Sequence, residues 1–148
     1  GGIDSVQCSP LERTYETAGI IGERLGLVPV QVPALVEIDF GGWTGKSFEE
    51  LDRREDWQHW NHFRSGTRPP GGETMSEVLT RALRHVETLR SGTATVLVSH
   101  CDVIRALLTH WLGMPGDLLL RLEIAPASIS TVEIGPWGPR ILRINEEA

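Results

Sequence analysis

Apolar positions follow two alternating periods along this chain, and the switch between them is sharpest at residues 95–108, TVLVSHCDVIRALL. Thr95, Val96, Leu97 and Val98 run without a polar interruption, which predicts a short strand covered on both faces. From Asp102 onward Val103, Ile104, Leu107, Leu108 and Trp111 recur at helical spacing until Gly113. His100 therefore stands at the carboxyl end of a strand, where open α/β sheets bind their ligands.

The same switch recurs elsewhere. Residues 4–8 read as a short strand, and Ser9-Pro10-Leu11-Glu12 reads as a capping box opening a helix. Leu11, Ala18, Ile21 and Leu25 give that helix an apolar stripe, with Gly26 as its C-terminal cap. Residues 28–36 read as extended, because prolines at 29 and 33 exclude a helix interior. The glycine-rich residues 37–45, EIDFGGWTG, form a shaped loop.

A second capping box, Ser47 to Glu50, opens a short helix, and Trp57, Trp60 and Phe63 recur every third residue on another helical segment. Residues 64–72, RSGTRPPGG, are turn-rich and basic. A third box, Thr74 to Glu77, precedes an amphipathic helix carrying Val78, Leu79, Ala82, Leu83, Val86 and Leu89, to about residue 90. A short helix near 117–121 and two strands at 128–134 and 140–144, as a hairpin around GPWGP, complete the chain. Strands alternating with helices, without repeats or linkers, predict one α/β domain over residues 1–148.

With 148 residues the chain can bury about two thirds of its unfolded surface. Its formal net charge of −6 argues against nucleic acid or an anionic membrane as partner, and no apolar run is long enough to span a bilayer. Two cysteines are too few for a disulfide scaffold and fit a reducing compartment, so a cytoplasmic location is expected. Arg13 falls in the first turn of a predicted helix, an unfavourable place for a cation unless an anion binds nearby.

Four segments carry a resemblance: SPLERTYETA (9–18), EIDFGGWTG (37–45), GGETMSEV (71–78) and SHCDVIRALL (99–108). In this order they resemble the histidine phosphatase superfamily, the phosphoglycerate-mutase-like enzymes. The resemblance implies a three-layer α/β sandwich with a mostly parallel central sheet flanked by helices. It implies phosphomonoester hydrolysis through a phosphohistidine, with a small phosphorylated substrate and no metal or organic cofactor. Ser9 and Arg13 belong to the implied phosphate-binding segment, with Arg13 as a bidentate clamp on the phosphoryl oxygens. His100 would donate to the same oxygens. Glu37 would protonate the leaving alcohol and later take a proton from water, with burial beside Trp43 lifting its pKa; Asp39, two residues on, is the competing acid.

The stretch from Trp57 to Arg68 is expected to cap the pocket, with Arg64 or Arg68 touching a second acidic group on the substrate or simply solvated. Only 35 positions separate Glu37 from Gly72 (72 − 37), a shorter interval than the family's mutases typically carry, which favours a phosphatase. The rivals are a mutase and a phospho-ligand binding protein without catalysis; a homodimer stays open.

Two features depart from the family pattern. No Arg-His-Gly tripeptide, the family's nucleophile motif, occurs in the chain, and His59, His62, His85 and His110 all fall inside helical patterns. His59 and His62 lack the carboxylate or cysteine neighbours of a metal site. The chain opens GGIDSV where the family's second strand begins, so a first strand and helix are expected to be missing, leaving residues 1–148 poorly stable alone. Cys101 stands where the family usually has glycine; the resemblance sets Cys8 and Cys101 on neighbouring strand ends, where they either pair or remain independent thiols.

Overall fold

The computed structural model describes residues 2–147. Strand β1 (Ser5–Cys8) is the middle of a three-stranded parallel sheet, with β2 (Val30–Gln31) on one side and β3 (Thr95–Val98) on the other. Ser5 lies opposite Thr95 and Cys8 opposite Val98, so β1 and β3 end level. One more ladder bond, from Ser9 N–H to the Val98 carbonyl at 2.9 Å, carries the pairing to the point where both chains leave the sheet. Ser9 and His100 thereby emerge side by side.

Helices cover both faces. Helix α1 (Glu12–Leu25) closes a small cluster of Val6, Cys8 and Ala18, with Val96 and Val98 against it. The larger core lies opposite, where the apolar stripes of α4 (Met75–Glu87) and α5 (Cys101–Trp111) meet Leu97. Alternate β3 side chains thus enter the two cores, as an uninterrupted apolar run requires. Each β3 residue is nevertheless only half-buried, because β3 is the sheet's edge strand among the described residues.

At the larger core, α2 (Phe48–Asp52) and α3 (Glu55–His62) contribute to an aromatic knot in which Trp43 packs on Trp57 and Trp60, with ring centroids 5.2 and 5.5 Å away. The antiparallel hairpin β4 (Ser128–Gly135) and β5 (Gly138–Glu147) forms a separate two-stranded sheet. No helix among the described residues is long and apolar enough to cross a membrane.

The capping boxes predicted at Ser47 and Thr74 form, each with both reciprocal bonds. The one predicted at Ser9 does not: α1 starts at Glu12, its N-cap is Leu11, and no side chain caps it. Ser9 stands outside the helix, its hydroxyl accepting from His100 Nε2 at 2.8 Å and from the Leu11 N–H at 3.3 Å. Within residues 28–36 only Val30 and Gln31 pair as a strand, and Pro33 opens a 3-10 turn (Pro33–Leu35) instead. Phe63 falls outside α3 as its C-cap, and α4 stops at Glu87. The two cysteines are free: Cys8 is buried in the β1 cluster, while the Cys101 thiol points to the Ile124 carbonyl at 3.5 Å.

Candidate active site

His100 is the N-cap residue of α5 and is 6% exposed. Its Nδ1 lies 3.0 Å from Arg13 Nη2, and its Nε2 lies 2.8 Å from Ser9 Oγ. A guanidinium can only donate, so Nδ1 accepts and the ring proton sits on Nε2, donating to the serine hydroxyl. Burial, then the positive charges of Arg13 and Arg81, push the His100 pKa down to about 4. The imidazole is therefore neutral at neutral pH. Thr14 fixes the turn that carries Arg13, its hydroxyl reaching the Ser9 and Leu11 carbonyls at 3.0 and 2.7 Å.

Glu37 lines an open cleft of about 740 Å³ together with Arg13, Leu11, Val36, Ile38 and Phe40. Its Oε1 accepts from the Ile38 amide at 2.9 Å. Burial raises the Glu37 pKa above the ordinary carboxylate value; the Ile38 bond and the Arg13 and Arg81 charges oppose this, and the Asp102 charge adds to it. The apolar surroundings expected from Trp43 come from these cleft residues instead. Trp43 is committed to the aromatic knot. Asp39, the rival acid, is exposed and spends Oδ1 on the Gly41 amide at 2.8 Å.

The loop bearing Glu37 is held from behind by residues that sequence patterns did not single out. Arg81 donates through Nε and Nη2 to both Glu73 oxygens at 2.7 and 2.9 Å, through Nη1 to the Ala34 carbonyl at 2.6 Å, and through Nη2 to the Glu37 carbonyl at 3.4 Å. Two backbone contacts lock the other side: Gly42 N–H to the Pro70 carbonyl at 2.7 Å, and Glu73 N–H to the Asp39 carbonyl at 2.8 Å. Glycines permit this approach. A Cβ on Gly41, whose φ is +50°, would stand 2.2 Å from the Pro70 oxygen, and one on Gly72 2.3 Å from the Asp39 oxygen.

The two loop arginines differ from each other, and only Arg64 departs from expectation. Arg64 is 6% exposed, its Nη1 donating to Asp102 Oδ2 at 2.8 Å, its Nη2 to Asn61 at 2.9 Å, and its guanidinium 3.8 Å above the Trp60 ring. It is an internal ion pair rather than a solvated or substrate-facing cation, because Asp102 in the first turn of α5 needs a buried counter-charge. Arg68 lines the cleft, as its position predicts, but its fork is engaged by both Glu77 oxygens at 2.8 Å. His59 and His62 serve local packing, the one edge-on to Phe63 and the other bonded to the Gln58 carbonyl.

The site so assembled offers a guanidinium and a neutral imidazole at a strand end, with a partly buried carboxyl on the cleft that the guanidinium also lines. Comparison with known proteins gives that arrangement a context. The chain is 37% identical over 149 residues to the bifunctional protein Rv2228c of Mycobacterium tuberculosis, covering 97% of this chain and 41% of that protein. It is 34% identical over 143 residues to a probable phosphoglycerate mutase GpmB of Yersinia pestis, covering 92% and 66%. It thus spans less than two thirds of either relative. The native structure of mycobacterial glucosyl-3-phosphoglycerate phosphatase Rv2419c superposes with a TM-score of 0.86 at 26% identity, over 99% of this chain and 79% of that one. A family model described as histidine phosphatase superfamily (branch 1) matches residues 1–147, and to that family this chain belongs.

Proposed function

We propose that these residues form the phosphoryl-binding and leaving-group half of a phosphomonoester hydrolase that works through a phosphohistidine. The observation carrying this reading is the Arg13–His100 contact at 3.0 Å, with Arg13 and Glu37 lining the same cleft. Arg13 has no carboxylate partner among the described residues, so its fork is available to a phosphoryl group. A bound phosphoryl oxygen replaces the imidazole nitrogen as the Arg13 acceptor. His100, held by Ser9, then stands beside the transferring group.

In this scheme a histidine nitrogen attacks phosphorus and the P–O bond to the alcohol breaks, while the Glu37 carboxyl gives the leaving oxygen its proton. Water next attacks the phosphohistidine, returns a proton to Glu37 and releases inorganic phosphate. The raised Glu37 pKa suits both halves, since the group must hold a proton first and accept one later. The nucleophile is a further histidine, which the scheme assigns to the whole protein beyond these 148 residues, since His59, His62, His85 and His110 lie in α3, α4 and α5.

The test uses the protein expressed from its complete reading frame. Phosphate release from para-nitrophenyl phosphate, with an acid-labile, base-stable phosphoryl adduct on histidine after rapid quench, is the expected result. An adduct that passes to an acceptor alcohol and not to water makes the protein a mutase. Binding of inorganic phosphate with neither adduct nor turnover makes it a binding protein.

A further inference from the structure

We propose that Arg81, locked to Glu73, is a positioning residue for Glu37: it grips the backbone that presents the carboxyl and fixes where the leaving-group proton is delivered. The inference rests on the acid role of Glu37 proposed above. Arg81 projects from α4 while Glu37 stands on a loop between two 3-10 turns, Pro33–Leu35 and Gly41–Trp43, with no regular structure to hold it. Backbone in such a loop keeps one conformation only if its carbonyls and amides find fixed partners. Here one guanidinium bonds the carbonyls of Ala34 and Glu37, and the Ser99 hydroxyl bonds that of Leu35 between them.

The guanidinium is itself fixed. Its remaining donors meet both Glu73 oxygens in a fork, and the two side chains are only about one fifth exposed, at 21% and 19%. Glu73 then reaches the far side of the same loop, its main-chain N–H on the Asp39 carbonyl at 2.8 Å and its Oε2 accepting from the Asp39 amide at 3.4 Å. Residues 34, 37 and 39 are therefore held by one pair, on both sides of the Glu37 side chain. A carboxyl that must deliver a proton within hydrogen-bond reach tolerates little displacement, so slackness here becomes lost proton transfer. Only a planar fork makes these contacts at once; a lysine keeps the charge and loses the geometry.

The experiment compares kcat/KM on two substrates in the complete protein. Para-nitrophenolate leaves without needing a proton, whereas the alkoxide of glycerol phosphate does not. Glu37→Gln sets the reference, with a loss of about 100-fold or more on glycerol phosphate and a much smaller loss on para-nitrophenyl phosphate. Arg81→Lys and the near-isosteric Glu73→Gln are expected to show the same contrast, on the order of 10-fold on glycerol phosphate against less than about 3-fold on the activated ester. The double variant Glu37→Gln, Arg81→Lys should be no slower than Glu37→Gln alone, because the arginine acts through the acid.

Equal losses on both substrates, no loss on either, or additive losses in the double variant overturn the positioning role. Should Glu37→Gln itself show no leaving-group contrast, the acid assignment fails and this inference with it, and that result is distinct from the others. Thermal melts of each variant separate misfolding from misplacement. If Arg81→Lys does not fold, Glu73→Gln carries the same comparison.

Discussion

His100 Nε2 and Ser9 Oγ stand 2.8 Å apart although 91 residues separate them in the chain. The contact exists because β1 and β3 are parallel and end in register, so that the first residue past one strand faces the second residue past the other. It fixes the ring and its tautomer together, since the Nε2 proton is directed at the hydroxyl while Nδ1 faces Arg13.

That arrangement predicts a pH dependence. The folded His100 pKa is about 4 against an ordinary 6.5, so the unfolded chain takes up a proton first as pH falls. Stability contributed by the neutral ring is complete above pH 6.5 and is lost between there and about 4, by roughly 3 kcal/mol in all. Denaturant melts across this window check the slope. Nitrogen-15 shifts of the ring should report the Nε2–H neutral form at pH 6, and His100→Gln should flatten the acid limb.

The buried Arg64–Asp102 pair predicts a stability effect at a position whose sequence suggests a substrate contact or a solvated cation. Removing Arg64 leaves Asp102 with Arg105 alone, at 3.4 Å, in a site where both partners of the lost pair are about nine-tenths buried, 7% and 11% exposed. Arg64→Ala should cost about 3–5 kcal/mol. Arg68→Ala, at a half-exposed surface pair, should leave the thermal midpoint almost unchanged. A double variant, Arg64→Met with Asp102→Asn, should recover part of the loss, because no unpaired charge remains inside.

What the sequence shows of this molecule divides by range. Helices α2 and α4 are legible at their starts because a capping box is complete within four residues, Ser47 to Glu50 and Thr74 to Glu77. The strand-to-helix passage at His100 is legible for the same reason: the apolar period changes locally. The Ser9 box has the right letters and does not form: α1 begins later, at Glu12, and the hydroxyl accepts from the Leu11 N–H and from His100, 91 residues away. Arg64 reads as a loop cation until Asp102, 38 residues on, is folded against it. Arg81 leaves still less trace. It sits beside the apolar stripe of α4, and its partners at Ala34 and Glu37 lie 47 and 44 residues back, with Glu73 eight back and beyond the one-turn spacing of helical pairs.

The close approach of the two glycine loops predicts that a single methyl matters. Gly72→Ala would push its Cβ to within 2.3 Å of the Asp39 oxygen, forcing apart the 39–42 and 70–73 segments and their two backbone bonds. A loss of about 2 kcal/mol follows, or a fall of about 4–8 °C in Tm for a domain of this size. Gly116→Ala, with nothing within 4 Å of the added carbon, is the control and should melt like the parent. Equal midpoints for Gly72→Ala and the parent would mean that the loops are not held in this contact.

The last prediction concerns the opposite sign at Glu37. Burial is the largest influence on this carboxyl and raises its pKa from the ordinary 4.5, so the folded protein keeps the proton to higher pH than the unfolded chain does. A raised acid pKa contributes stability that is complete below pH 4.5 and is lost as pH rises through the folded value. Gln at this position never ionises, yet its amide oxygen can still accept from the Ile38 N–H that Oε1 binds at 2.9 Å. Glu37→Gln should therefore match the parent in Tm near pH 4 and exceed it as pH rises through the folded value. Its constant packing difference offsets the two curves without changing their divergence, so the slope and not the offset is the readout. A Tm difference that stays flat across this range, or favours the parent at high pH, would show the carboxyl to be solvated and remove the physical basis for its acid role. The expected divergence, joined to lost turnover in the complete protein, would show that this position gives up stability at neutral pH to keep a proton in reserve.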